Sequence, residues 1–299
     1  MCNLTAPQFT DSNKAREYLE SICWANGIIC PHCGVIADHY KIQGKTARPG
    51  LYACRDCREQ FTVTVGTVFE RSKIPLNKWL LATYLLCSSK KGFSSHQLHR
   101  TLGVTYKTAW FMAHRLREAM KDPDVRKQLG GTGSVVEADE TYWGNTRSKN
   151  VEVHKGYGHK EKIFSLVERN GNVRSFHVPH VSGETLIPIL KAQIHRDTRV
   201  MTDEFGGYKD IGQYFAEHST VAHSHKEYVR GDVHTNTIEG YFSILKRGLI
   251  GTFHHVGSNH LHRYINEFDF RYNHRKITDS ERTDVALAGI AGKRLMYKD

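Results

Sequence analysis

No stretch of the chain is apolar for long enough to cross a bilayer. The longest, near Trp79 to Cys87, falls far short of the roughly 20 residues that a spanning helix needs. The N-terminal residues include Asp11, Glu17 and Glu20 and have no apolar core, so a secretory signal is not expected and a cytoplasmic location is. Acid is in short supply: 31 Asp plus Glu stand against 42 Lys plus Arg, a net charge of +11 that favours a polyanionic partner. Sustained apolar heptads are missing as well, so no coiled coil marks an oligomeric interface.

Cysteine is sparse and unevenly placed. Of the seven, Cys2, Cys23 and Cys87 are isolated and read as free thiols, whereas Cys30-Pro-His-Cys33 and Cys54-Arg-Asp-Cys57 form two tight pairs. Without a secretion signal, such pairs point to metal before disulfides. Two turns of this kind can present four thiolates tetrahedrally to Zn2+. Short strands predicted over 38–43, 51–53 and 60–65 complete the pattern of a zinc ribbon. Lys41, Lys45, Arg48, Arg55 and Arg58 decorate it and suit contact with DNA phosphates, with a solvated face as the alternative.

From Pro75 to Ser88, apolar residues recur at three and four, which predicts a helix with one buried face. Next, Ser94 can cap a helix carrying Leu98 and Leu102, Gly103 turns the chain, and Thr105 can cap a second helix. This pattern reads as a helix-turn-helix, with an ordinary helical hairpin as the plainer alternative. Tyr106, Lys107 and Thr108 then occupy the start of a recognition helix, where base edges are usually met. The Pro- and Gly-bearing segment Lys121 to Gly133 ends the helical region.

Beyond it, Val135 opens a β-prone run in which Glu137 and Asp139 lie two apart and share a strand face. Two more strands flank Asn170-Gly171, a helix spans Gly183 to Ile194, and a fourth strand ends at Asp203. A short helix is predicted over Tyr208 to Phe215, and a later one carries Asn236 and Glu239. Along that last helix Asn236, Glu239, Ser243 and Lys246 fall on one face, opposite Ile238, Tyr241, Phe242 and Leu245. The order of elements predicts an α/β, ribonuclease H-like domain. Asp139, Asp203 and Glu239 then suit a pair of Mg2+ or Mn2+ ions about 3.5–4 Å apart, Asp139 bridging and the other two each completing one ion's shell. Asn236 is the rival third ligand. Lys246 would grip a DNA phosphate, with Arg247 beside it. Glu137, Glu140 and Glu204 remain alternative acids.

Three blocks carry a specific resemblance: Glu137-Ala-Asp139-Glu-Thr-Tyr-Trp-Gly144, Thr202-Asp203-Glu-Phe-Gly-Gly-Tyr208, and His234-Thr-Asn236-Thr-Ile-Glu239 running on to Lys246-Arg247-Gly248. With Thr67–Glu70 and Lys73–Leu76 after the ribbon, they resemble bacterial insertion-sequence transposases of the DDE type, in the ISXO-like group related to eukaryotic Merlin elements. The resemblance implies an enzyme that binds double-stranded DNA at terminal inverted repeats, cuts it in a metal-dependent step and transfers strands to target DNA. A non-catalytic, sequence-specific DNA-binding regulator derived from such an enzyme is the alternative. The group carries Asn, Glu or His as its third catalytic residue, which leaves Glu239 and Asn236 both open; Glu239 is preferred because carboxylate binds Mg2+ better than amide. Pairing two element ends implies a homodimer or higher oligomer. The expected divisions are a zinc-ribbon region over 1–70, a helix-turn-helix segment over 71–130, the ribonuclease H-like catalytic domain over 133–280, and a tail over 281–299.

Overall fold

The computed structural model describes residues 4–122, 127–144 and 160–295. Cys2 and residues 123–126 of the Pro-bearing boundary lie outside them. The chain forms two compact units, one of residues 1–121 with 276–299 and one of residues 122–275.

The first unit begins with α1 (Pro7–Thr10) and α2 (Ser12–Cys23), the latter capped by the Asp11 carboxylate, which accepts from the amides of Asn13 and Lys14 at 2.9 and 2.8 Å. Three short strands follow, β1 (His39–Lys41), β2 (Tyr52–Cys54) and β3 (Gln60–Phe61), antiparallel with β2 in the middle. Tyr52 and Phe61 pack with Trp24 around the buried Cys30 and Cys54, a core too small to hold three strands of this length by apolar burial alone. Helices α3 (Leu76–Ser88), α4 (Ser95–Leu102) and α5 (Tyr106–Ala119) come next. Both expected caps are made: Ser94 and Gln97 form a reciprocal capping box, and Thr105 accepts from the Thr108 amide. Between α4 and α5, Gly103 sits at φ 60°, the left-handed conformation that ends a helix.

Where a tail was expected from residue 281, residues 281–288 continue a helix, Asp279–Ala288, started by a Thr278–Glu281 capping box. Arg282 donates to the Cys87 carbonyl at 2.8 Å and Asp284 accepts from the Tyr18 hydroxyl at 2.6 Å, so the end of the chain closes on the helices where it began.

The second unit contains β4 (Val135–Trp143), β5 (Glu161–Glu168), β6 (Val173–Val178), α6 (Gly183–Gln193), β7 (Arg199–Asp203), β8 (Glu217–Val221), the small ladder β9 (Val229–Arg230) with β10 (Val233–His234), α7 (Asn236–Gly248) and α8 (Ser258–Asn273). Its main sheet has the order β6-β5-β4-β7-β8; β4 to β6 form an antiparallel meander, and β7 and β8 join in parallel. In the β5–β6 loop Asn170 takes a positive φ, at 62°. A side chain on Gly171 would run into Glu168, so the glycine answers a close approach there. Two 3-10 turns, Gly206–Tyr208 and Ile211–Gln213, replace the short helix predicted over Tyr208 to Phe215.

Alternation along the strands divides this core. Val136, Ala138, Phe164, Leu166 and Val200 pack under Leu186 and Leu190 of α6. Ile163, Val167 and Val173 face the other way, beneath Ile238, Tyr241 and Leu245 of α7 and Leu261, Ile265 and Phe268 of α8. Helices thus cover both faces of a mixed α/β sheet.

At Gly103 a Cβ would meet no atom within 4 Å, so a substitution there tests backbone conformation alone. Gly103→Ala is expected to lower the unfolding free energy by about 1 kcal/mol, and Gly103→Asn by less, as read by chemical denaturation.

Candidate functional site

Four thiols converge where the ribbon's two turns meet. Cys30 Sγ lies 3.7 Å from Cys57 Sγ, and Cys33 Sγ lies 3.6 Å from Cys54 Sγ. Tetrahedral Zn2+ with Zn–S of about 2.3 Å requires sulfurs about 3.8 Å apart. All four ligand atoms fall within 4.8 Å of one another, so the residues present fit the ion. Among the described residues no other set of three or more His, Cys, Asp or Glu is gathered so tightly.

On α5, Tyr106 and Lys107 are exposed and Thr108 is partly so. Tyr106 stacks on His96 of α4 with ring centroids 4.3 Å apart. The first turn of the second helix therefore presents an aromatic, a cation and a hydroxyl to solvent.

The acids of the second unit are sorted by strand parity. Glu137 and Asp139 project from the face of β4 that α7 covers, because Glu137 accepts from the Ile238 amide of α7 at 2.9 Å. On parallel β7, Met201 is the register partner of Glu137, and its sulfur meets the Arg169 guanidinium that also holds Glu137, so Met201 shares that face. Asp203, two residues on, follows it. Glu239 lies in the first turn of α7, exposed, with its Oε1 accepting from the Thr235 hydroxyl at 3.1 Å. Asn236 starts the same helix and is also exposed; Lys246 and Arg247 are exposed in its last turn, Arg247 donating to Ser243. The polar and apolar faces of α7 divide as its spacing predicts.

The alternative acids are otherwise engaged. Glu137 is fully buried and ion-paired to Arg169 at 2.7 Å. Glu140 points to the α6 side, where it accepts from the buried Tyr208 hydroxyl at 2.6 Å. Glu204 is tied to Ser224 by two hydrogen bonds of 2.8 and 2.9 Å, which lower its pKa.

Electrostatics single out Asp139. Burial, then the neighbouring charges of Glu140 and Asp203, and to a smaller extent Glu239, push its pKa up to about 8, against the Glu140 amide that donates to it. Burial likewise raises Glu140 and, well above the usual phenol range, Tyr208. A half-buried group of carboxylates that repel one another is a donor set whose ionised form a divalent cation would stabilise. Among the described residues these acids do not gather within one ion's shell.

Residues 10–60 match the family model of the transposase zinc-ribbon domain, and residues 128–273 that of the ISXO2-like transposase domain. A Halobacterium salinarum protein described as an uncharacterized protein in transposable element ISH50 is 31% identical over 279 residues, covering 88% of this chain and 91% of its own length. The chain belongs to the ISXO2-like transposase family. An uncharacterized transposase-like protein of Haemophilus influenzae is 28% identical over 100 residues, 33% of this transposase and 80% of that protein. A chain from a cryo-electron-microscopy structure of a simian T-cell lymphotropic virus intasome with PP2A regulatory subunit B56 gamma aligns over 57% of the transposase and 63% of that chain, at 13% identity and a TM-score of 0.30, too loose a superposition to bear on the fold.

Three residues beside these acids had no role in the sequence reading: Arg169, Tyr208 and, as an ion-pair partner, Glu137. Their partners lie 32 and 68 positions away, so periodicity could not have found them. The parity shared by Glu137 and Asp139 was the one available signal.

Stripping zinc with a chelator, or Cys33→Ser, is expected to abolish zinc binding by the ribbon and to unfold it, read as lost metal content and lost near-UV circular dichroism. Asp139 generates a pH prediction in Mg2+-free buffer. Its folded pKa, about 8, exceeds the unfolded value near 3.9. The folded state therefore holds the proton more tightly, and this group's contribution to stability falls as pH rises from about 4 through about 8. Asp139→Asn should melt higher than the wild type at pH 8–9, and the gap should close only by about pH 4; a gap that is constant with pH contradicts the assignment.

Proposed function

We propose that this transposase cuts DNA at the terminal inverted repeats of its element and joins the freed strands to target DNA, using two Mg2+ or Mn2+ ions held by Asp139, Asp203 and Glu239. The observation that carries the reading is that three far-separated acids share one electrostatic neighbourhood: after burial and Glu140, the charges of Asp203 and Glu239 add to the rise of Asp139 to about 8. The sheet order β6-β5-β4-β7-β8, with its antiparallel meander and two parallel additions, supports a ribonuclease H-like catalytic domain over residues 133–280. Glu239 is preferred to Asn236 as third ligand because carboxylate binds Mg2+ better than amide.

The divisions of labour follow. The zinc-ribbon region over 1–70 and the helix-turn-helix over 71–130 bind the repeats, with Tyr106, Lys107 and Thr108 meeting base edges. In the catalytic domain the partly buried Asp139, with Asp203 and Glu239, would hold the ions through their carboxylates. When bound, the ions supply Lewis acidity at the scissile phosphate and lower the pKa of the attacking hydroxyl. Lys246 and Arg247, exposed on the same helix as Glu239, hold backbone phosphates and keep the DNA in register. Pairing of two element ends calls for at least a homodimer.

The experiment is cleavage of duplexes carrying the element's ends, with and without Mg2+. Asp139→Asn, Asp203→Asn and Glu239→Gln are each expected to lose more than about 100-fold in rate, exceeding what second-shell substitutions cost, with DNA binding retained. Asn236→Ala should cost less. Binding without any Mg2+-dependent cutting in the wild type would instead identify a DNA-binding regulator.

A further inference from the structure

The first turn of α7 is capped from outside the helix. Its N-cap residue, Thr235, makes no side-chain cap; that hydroxyl is turned to Glu239. The cap comes from β4, a hundred residues earlier in the chain. Glu137 Oε2 accepts from the Ile238 amide at 2.9 Å, and Oε1 accepts from the Thr237 hydroxyl at 2.9 Å. A carboxylate there also meets the positive end of the helix.

Arg169 completes the arrangement. Its backbone continues the β5 ladder, donating to the Val135 carbonyl at 3.0 Å, so strand parity carries its side chain to the α7 face. Nε donates to Glu137 at 2.7 Å. Nη1 donates to the Asp232 carbonyl at 2.8 Å, and Nη2 to the His234 carbonyl at 2.9 Å and the Met201 sulfur at 3.0 Å. The ring of His234 receives both Nη2, at 3.0 Å, and the Asn236 amide, at 3.3 Å, on Nδ1. The same Nδ1 lies 3.3 Å from Glu137 Oε1.

We propose that Glu137 and Arg169 are positioning residues that lock the start of α7 to β4, β7 and the β9–β10 ladder, and so set where Glu239 stands relative to Asp139 and Asp203. The inference rests on the reading of those three acids as ion ligands. Stability is a weak reason for such a pair, since a buried ion pair can often be replaced by apolar groups without loss. Placement is the specific property it confers: Glu137 is two residues from Asp139 on one strand, and Met201 is two from Asp203 on the next. One guanidinium and one carboxylate thus tie together the segments that carry all three acids.

The test is Mn2+ titration followed by electron paramagnetic resonance on the full-length, zinc-loaded protein, alongside thermal melting. The double variant Glu137→Gln with Arg169→Met removes both charges and should melt close to the wild type, yet bind Mn2+ about 10- to 100-fold more weakly. A merely structural pair would leave Mn2+ binding unchanged once melting is recovered, and that result, with Asp139→Asn still weakening binding, overturns the proposal. If Asp139→Asn also leaves Mn2+ binding unaltered, the ion-ligand reading fails and takes the clamp with it. Should the double variant not fold, Thr237→Val removes one donor at nearly constant shape; weaker Mn2+ binding at unchanged melting supports the clamp, and unchanged binding overturns it.

Discussion

The parallel pairing of β4 with β7 is the constraint on which the second unit depends. It runs through Val135 to Glu137 on one strand and Arg199 to Met201 on the other, and the ladder ends just before Asp139 and Asp203. Parallel neighbours need a crossover, and the chain supplies α6, whose Leu186 and Leu190 seal one face of the sheet. The opposite face is then left for α7 and α8. Asp139 in the middle of β4, Asp203 at the end of β7 and Glu239 in the first turn of α7 are the acids this topology supplies there.

Asp139 is costly to ionise among these acids: burial comes first, and the charges of Glu140 and Asp203 add to it. The scaffold around them is correspondingly well tied: Glu137 and Arg169 at the start of α7, Tyr208 on Glu140, and a buried network in which Asp269 of α8 accepts from Ser175 of β6 and from Tyr241 of α7. The first unit solves a different problem. Three strands of two or three residues cannot bury enough surface to order themselves. Four thiolates closing on zinc substitute for the missing core.

Much of this was legible from the residues. Two Cys-x-x-Cys pairs specify a metal site by spacing, Ser94 and Thr105 announce helix starts, and a three-and-four repeat predicts which side of α7 is buried. These are local signals, each decided within a few residues. What was missed is non-local. The part of Arg169 depends on which strand pairs with which. Glu137 reads as one more acid until its partners on a helix a hundred residues later are known. The capping box at Thr278 and Glu281 was a local signal that a short remaining sequence obscured, and the helix it starts holds its place through Tyr18 and Cys87, partners from the other end of the chain. A short helix was expected over Tyr208 to Phe215, where two 3-10 turns stand instead and Tyr208 donates to Glu140.

The most direct measurement is anomalous diffraction at the manganese edge from crystals of the transposase grown with Mn2+ and a duplex bearing an element end. The account requires two peaks about 3.5–4 Å apart, with Asp139 in contact with both and Asp203 and Glu239 on one each. Manganese bound elsewhere, with no peak within ligand distance of Asp139 or Asp203, would contradict it.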